Sequence, residues 1–135
     1  MVTASLRLLG VIEGWYRPSG LGEALELVGL ARLNKLYLPF LRAVGAGLDG
    51  ELRLEEARFS WYVDNAVDVA RALSSLNYAF FKFRRPIDHV SVDLDILINS
   101  RDVAAAVSRL RSLGFSVIVS EPYTVTLSRK GFIVD

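Results

Sequence analysis

Residues 90–99 read VSVDLDILIN, an apolar run interrupted by two aspartates, Asp93 and Asp95, at a spacing of two. Carboxylates are disfavoured inside strands, and a buried carboxylate must be paired or bind a cation. Because alternate strand residues face the same side of a sheet, both aspartates project together, with Ser91 before them on that face. The opposite face is apolar and points into a core: Val92, Leu94, Ile96 and Ile98. The stretch therefore predicts a strand that carries two like charges on one face and needs a positive partner there.

The composition excludes several classes of site. The chain has 135 residues, which suits one domain, and a formal net charge of +1, which gives no bulk attraction to nucleic acid or membranes. It has no cysteine, so it forms neither a disulfide framework nor a cysteine-ligated metal site. The single histidine, His89, excludes a histidine-rich metal site.

The N-terminal and most apolar segments bear on localisation. The stretch MVTASLRLLGVIEGWY lacks the basic lead and long apolar run of a signal peptide. The most apolar region, residues 25–48, is interrupted by Arg32, Lys35 and Arg42 and does not read as a membrane span. We expect a cytoplasmic protein without membrane partners. The absence of glutamine and cysteine, with far more arginine than lysine, hints at a thermophile.

Helical periodicity dominates the first half of the chain. Leu6, Leu9 and Ile12 recur at spacings of three, and a second apolar period spans residues 21–44, which Pro39 kinks or ends. A third helix is predicted over residues 51–75. Its core stripe comprises Leu54, Arg58 (by its stem), Trp61, Tyr62, Asn65, Val69 and Leu73, with Leu76 at its end.

The second half predicts strands around one helix. Residues 77–83 and 90–98 are strand-like, and three further strands are FSVIVS, YTVTLS and FIVD. Between them, Ser100 is the expected N-cap of a helix that runs to Leu113 and stops at Gly114. The order predicts an α+β fold with a mixed sheet: a helical N-terminal layer (1–75) and an α/β core (76–135) in one compact domain.

The carboxylates suggest a metal site. If the final strand lies beside the first, Asp93, Asp95 and Asp135 converge. Oxygen ligands without histidine or cysteine suit Mg²⁺ or Mn²⁺, and paired ions of this kind serve phosphoryl and nucleotidyl transfer. The alternative is an Asp-x-Asp pair that occurs by chance and is neutralised by arginines.

Residues 76–135 resemble the nucleotidyltransferase superfamily of DNA polymerase beta-like enzymes, in particular its small prokaryotic members. The segments that carry the resemblance are FFKFRRPIDHVSVDLDILI, SRDVAAAVSRLRSLGF and GFIVD. In the family, a hydrophobic-Asp-hydrophobic-Asp strand follows a loop that often contains Arg and Pro. A helix and further strands come next, and a later strand carries a third aspartate.

The resemblance implies a role for each matching residue. Asp93 and Asp95 would bind the metal ions that carry a nucleoside triphosphate, and Asp135 would bind the catalytic metal and activate an acceptor hydroxyl. Lys82 would lie near the triphosphate. The sequence departs from the family at Phe83, where a small residue lets the backbone approach the phosphates. This departure, and a chain that stops at Asp135, raise the expectation of a fold without turnover.

Other candidates have two interpretations each. Lys82, Arg84 and Arg85 either hold a triphosphate or only neutralise the aspartates. His89 beside Asp88 is either a proton shuttle or a solvated loop residue. Aromatic side chains either stack a base or pack in the core: Tyr78, Phe80, Phe81 and Phe83. A second aromatic set pins the helical layer to itself or to another subunit: Trp15, Tyr16, Trp61 and Tyr62.

The leading hypothesis is a metal-dependent nucleotidyltransferase that moves a nucleoside monophosphate from a triphosphate to an unknown acceptor hydroxyl. The alternative is a non-catalytic module of the same fold that acts by protein association, as some antitoxins do. It would associate through the helical layer with a protein partner or a second copy. A third option is an unrelated α+β domain with a structural aspartate pair, in which Asp135 lies far from Asp93.

Overall fold

The computed structural model describes residues 1–45, 47–83 and 87–135. The described part contains a helical half followed by a mixed sheet, which confirms the predicted α+β class. The helices are α1 (Ala4–Glu13), α2 (Leu21–Leu33), α3 (Tyr37–Val44), α4 (Asp49–Ala72) and α5 (Val103–Ser112). The strands are β1 (Tyr78–Phe81), β2 (Asp93–Ile98), β3 (Ser116–Glu121), β4 (Thr124–Arg129) and β5 (Phe132–Val134). No helix of this described part is long and apolar enough to cross a membrane.

The chain divides into two compact units. Unit 1 contains Met1–Phe59 together with residues 87–90, and unit 2 contains Ser60–Phe83 and Ser91–Asp135. Each unit has its own cluster of buried apolar side chains. The division falls within α4, which has Ala66 and Val69 in the cluster of unit 2 and packs Leu52 against the cluster of unit 1.

In unit 1, α1 confirms the helix that the spacing of Leu6, Leu9 and Ile12 indicates. Leu8 and Val11 lie in the core, whereas Leu6 and Leu9 are exposed. Gly10 lies on the buried face, where a Cβ would come within 2.6 Å of the Tyr16 Cβ atom. The chain that leaves α1 therefore folds back closely over this glycine.

The apolar stretch of residues 21–44 forms two helices rather than one. α2 ends at Leu33. Two residues later Lys35 has a φ of 59°, a left-handed conformation that a right-handed α-helix does not contain. α3 starts at Tyr37, so Pro39 lies in its first turn, where a missing N–H breaks no helical hydrogen bond. The predicted break at Pro39 therefore lies earlier, at Lys35.

Helix α4 confirms most of its predicted stripe in unit 2. Tyr62, Asn65, Val69 and Leu73 are buried. In its first half, however, Leu54 is 69% exposed and Arg58 is exposed, while Glu55 is buried. The predicted stripe is therefore wrong over this segment.

The sheet of unit 2 has the order β1-β2-β5-β4-β3, in which only β2 and β5 are parallel neighbours. Its core face carries Leu94, Leu127, Phe132 and Val134 in the buried cluster. β2 starts at Asp93, so Val92 precedes the strand and is 44% exposed instead of facing the core. The remaining β2 alternation is as predicted.

The connection between β2 and α5 differs slightly from prediction. A 3₁₀ turn occupies Ser100–Asp102, and its cap is Asn99, whose side chain accepts a hydrogen bond from the Arg101 N–H. Ser100 is therefore the first residue of this turn and not the N-cap. Gly114 has a φ of 94°, the left-handed conformation expected after a helix end.

Candidate active site

Two of the predicted carboxylates lie side by side on neighbouring strands. β5 runs parallel to β2 with Asp93 opposite Ile133 and Leu94 opposite Val134. Asp135 extends this pairing, because its N–H donates to the Leu94 carbonyl (3.0 Å) and its own carbonyl accepts from the Ile96 N–H (2.7 Å). The register therefore sets Asp135 next to Asp95, on the sheet face opposite the core.

Each of the three carboxylates has a short-range polar partner. The Thr126 hydroxyl donates to Asp135 Oδ1 at 2.6 Å, from the neighbouring strand β4. The Ser91 hydroxyl donates to Asp93 Oδ1. Lys82 Nζ lies 3.3 Å from Asp95 Oδ2. These hydroxyl and ammonium groups occupy positions on the carboxylate oxygens that a bound cation can take instead.

Lys82 is a positively charged partner of the kind that the two aspartates of β2 were predicted to need. It follows β1, whose Phe81 pairs with Asp95 of β2, and it adopts a left-handed φ of 56°. Its ammonium nitrogen also lies 4.7 Å from the centroid of the Phe81 ring, a cation–π distance. Its side chain is 61% exposed, so the pair with Asp95 contributes at most about 1 kcal/mol to stability.

Phe83 faces the core of unit 2. Its ring centroid lies 5.2 Å from that of Phe80 and 5.9 Å from that of Tyr62, and the ring packs against the buried cluster. Tyr78 and Phe80 pack against the same cluster. The Phe83 ring therefore packs in the core of unit 2, and this placement does not favour the expectation that it obstructs a phosphate.

A cleft of about 510 Å³ opens beside the carboxylates. Lys82, Asp95 and Asp135 line it together with the hydroxyl residues Ser100 and Thr124 and the exposed ring of Tyr123. Its apolar wall includes Ile96, Ile98, Val103 and Leu110. A volume in this range accommodates a small-molecule ligand, with charged groups at one side and apolar surface at the other.

The donors in this region suit hard cations, since they are carboxylate and hydroxyl oxygens. Within the described ranges, no three acidic, histidine or cysteine side chains are gathered into one preformed metal-binding group. Asp93 is displaced along β2 from the Asp95 and Asp135 pair. A cation would therefore be held first by Asp95 and Asp135, with Asp93 as a neighbouring donor.

Four further predicted residues lie between Lys82 and Ser91 in the chain: Arg84, Arg85, Asp88 and His89. Arg84 and Arg85 lie outside the described residues. Asp88 and His89 belong to unit 1, where the Asp88 carboxylate accepts a hydrogen bond from Arg42 Nη1 at 2.8 Å.

Sequence reasoning missed Thr126 and Tyr123. Thr126 belongs to the alternating run YTVTLS, whose polar positions mark the face opposite the core. The sequence therefore indicates the sheet face of Thr126 but not its hydrogen-bond partner, Asp135. Tyr123 lies in the turn between β3 and β4.

Comparison with models of protein families, with curated proteins and with solved structures found no match to this chain.

Proposed function

We propose that this protein is a metal-dependent nucleotidyltransferase that uses the cleft of unit 2. The observation that carries the proposal is the placement of Asp135 beside Asp95 through parallel pairing of β5 with β2. Two carboxylates side by side repel each other unless a positive group lies between or against them. Only one ammonium group, that of Lys82, meets this need among the described residues, and it contacts Asp95 alone.

Asp95 and Asp135, with Asp93 beside them, would hold Mg²⁺ or Mn²⁺. The ion would neutralise charge on the phosphate oxygens when bound. Lys82 would leave Asp95 and bind a triphosphate oxygen, since its side chain is exposed and lysine has a flexible four-carbon stem. The Thr126 hydroxyl donates to Asp135 Oδ1 and orients this carboxylate, whose remaining lone pairs would accept from an acceptor hydroxyl.

The proposed reaction is an in-line displacement at the α-phosphorus of the nucleoside triphosphate. The acceptor oxygen forms a bond to the α-phosphorus, the bond from that phosphorus to the bridging oxygen breaks, and pyrophosphate leaves. The acceptor proton passes to the Asp135 carboxylate, which acts as general base. The apolar wall of the cleft and the Tyr123 ring offer surface for the nucleoside part.

The test is calorimetric titration of Mg²⁺ or Mn²⁺ with ATP, GTP, CTP and UTP. Wild type is compared with Asp93→Asn, Asp95→Asn and Asp135→Asn. Asp64→Asn serves as the matched control, because Asp64 is exposed on α4 of the same unit and lines none of this cleft. We expect metal-dependent binding in wild type and the control, and its loss in the three site variants. Equal affinity in all five proteins would contradict the proposal.

The exposed surface of α2 supports a second candidate function, association with a protein. Ala24, Leu27 and Ala31 bury one side of α2, while Leu25 and Leu33 are exposed on the opposite side. A helix that is apolar on both sides is normally covered on both. In this candidate the carboxylates of unit 2 bind no nucleotide, and the same titration separates the two functions.

A further inference from the structure

Unit 1 contains a cationic pocket outside the carboxylate cleft. The pocket has a volume of about 300 Å³, and its charged or polar walls are Arg32, Lys35, Arg58, His89, Tyr37 and Glu55. These side chains come from the end of α2, the start of α3, the first half of α4 and residues 87–90. We call this site the basic pocket.

The basic pocket carries an excess of positive charge. Three permanent cations face one carboxylate, that of Glu55, whose side chain is only 8% exposed. Arg58 Nη1 lies 2.5 Å from Glu55 Oε1, so this buried carboxylate is already neutralised within the pocket wall. Arg32 and Lys35 remain as two uncompensated charges.

Arg32 is held in place without an acidic partner. Its guanidinium carbon lies 4.5 Å from the centroid of the Tyr37 ring, and Nη2 donates to the Tyr37 hydroxyl at 3.1 Å. Throughout the described ranges, neither Arg32 nor Lys35 forms an ion pair with a carboxylate. A guanidinium that is oriented by stacking but not paired retains N–H donors for a ligand.

We propose that the basic pocket binds the phosphate group of a small phosphomonoester. Two uncompensated cations match a phosphate dianion better than a monoanionic carboxylate. The planar guanidinium of Arg32 donates two parallel hydrogen bonds to phosphate oxygens, and Lys35 adds a point charge. The pocket is at the small end of the range for small-molecule sites, which favours a compact ligand. The proposal concerns residues of unit 1 alone and stands or falls separately from the function proposed for unit 2.

The single histidine provides a unique spectroscopic reporter for this site. His89 lines the pocket, and its imidazole proton signals are the only ones of their kind in the chain. The full chain is titrated with inorganic phosphate while chloride keeps the ionic strength constant and the pH stays fixed near neutrality. We expect a saturable shift of the His89 signals. A shift that stays linear in phosphate, or none, would overturn the proposal.

Variants assign the binding to the two uncompensated cations. Arg32→Gln and Lys35→Gln should each weaken phosphate binding about tenfold, the value of one charge-assisted contact. Arg53→Gln is the matched control, since Arg53 is exposed on α4 and lines no part of the pocket. Equal weakening in the control would mean a general surface effect and would contradict the proposal.

A fourth variant and a second anion test the charge argument. Glu55→Gln removes the pocket's negative charge while keeping its shape, so phosphate should bind several-fold more tightly, provided that thermal melting shows the variant to be folded. If the variant does not fold, the Lys35→Gln result decides, because Lys35 is exposed and outside the core. Acetate, a monoanion, should bind at least about tenfold more weakly than phosphate. Equal binding of the two anions would refute the assignment to a dianion.

Discussion

Lys82 combines an unfavourable backbone conformation with a charged contact to the candidate site. Its left-handed φ of 56° is one that glycine adopts without cost, and its ammonium group contacts Asp95. A lysine at such a position costs about 1 kcal/mol relative to a relaxed conformation. The exposed ion pair with Asp95 stabilises the folded state by at most a similar amount. Stability alone therefore does not account for lysine here.

Lys82→Gly should separate stability from ligand binding. Relief of the left-handed strain offsets the lost ion pair, so the free energy of unfolding should change by less than about 1 kcal/mol. Metal-dependent nucleotide binding should weaken about tenfold, because a phosphate contact is lost. Thermal melting and calorimetry measure the two effects, with Lys82→Arg as the charge-preserving control. A large loss of stability with unchanged nucleotide affinity would make Lys82 a structural residue.

The turn between β4 and β5 has a second strained lysine. Lys130 and Gly131 have φ values of 50° and 84°, and such a pair of positive values is typical of a type I′ hairpin turn. Asparagine tolerates the first of these positions better than lysine does. Lys130→Asn should therefore raise the free energy of unfolding by a few tenths to about 1 kcal/mol in denaturant titration. Lys130→Val, a β-branched residue, should lower it.

At the scale of the element, Glu23 anchors the start of α2 in unit 1. Its carboxylate accepts hydrogen bonds from the Tyr16 hydroxyl (2.5 Å), the Ser19 N–H (2.7 Å) and Arg7 Nη1 (2.6 Å). These donors, led by Tyr16, lower the pKa of Glu23 from 4.5 to about 2. The ionised form is therefore favoured by folding.

The direction of this pKa shift fixes the pH dependence. A lowered pKa in the folded state stabilises the protein fully above pH 4.5, and this contribution disappears as the pH falls toward about 2. Glu23→Gln should melt at a lower temperature than wild type near neutral pH, and the difference should shrink across that acid window. Circular dichroism melts of both proteins measure it. Glu26→Gln, at a residue exposed on the same helix, is the control. A difference that stays constant down to acid pH would contradict the role of the charge.

The strands could be predicted from the sequence because the patterns that indicate them, alternation and turn residues, are local. Alternation and turn residues predicted β2 to β5 closely, and Gly114 marked the end of α5. The helix faces were less readable, because α1 carries leucines at positions 6, 8 and 9, which fit two alternative stripes. The break at Lys35 had no glycine or proline to mark it, although its φ of 59° is one that glycine adopts more readily than lysine.

At the scale of the whole molecule, the candidate site depends on a pairing that local patterns do not contain. Spacing predicted that Asp93 and Asp95 share a face, but the placement of Asp135 beside Asp95 comes from strands far apart in sequence. The sequence resemblance supplied that expectation, and the sheet order bears out the adjacency. Thr126 could not have been assigned to Asp135 without the register of β4 against β5.

The outer side of α2 bears on how the whole molecule associates. Leu25 and Leu33 are 52% and 84% exposed, on the side opposite the buried residues of this helix. Apolar surface that is left in water favours association, at about 25 cal/mol for each Å² removed. We therefore expect wild type to form larger species as its concentration rises, and the double substitution Leu25→Glu with Leu33→Glu to prevent this.

Sedimentation velocity over a range of concentrations measures this association. Ile118→Glu is the matched control, because Ile118 is a similarly exposed apolar residue on β3 of unit 2. If the double variant loses association but keeps metal-dependent nucleotide binding, the two activities belong to separate surfaces, as the nucleotidyltransferase proposal requires. If wild type associates, binds no nucleotide and depends on these leucines, the association candidate is the better account. If the control alone dissociates the larger species, the contact runs through the edge of the sheet and α2 is not the interface.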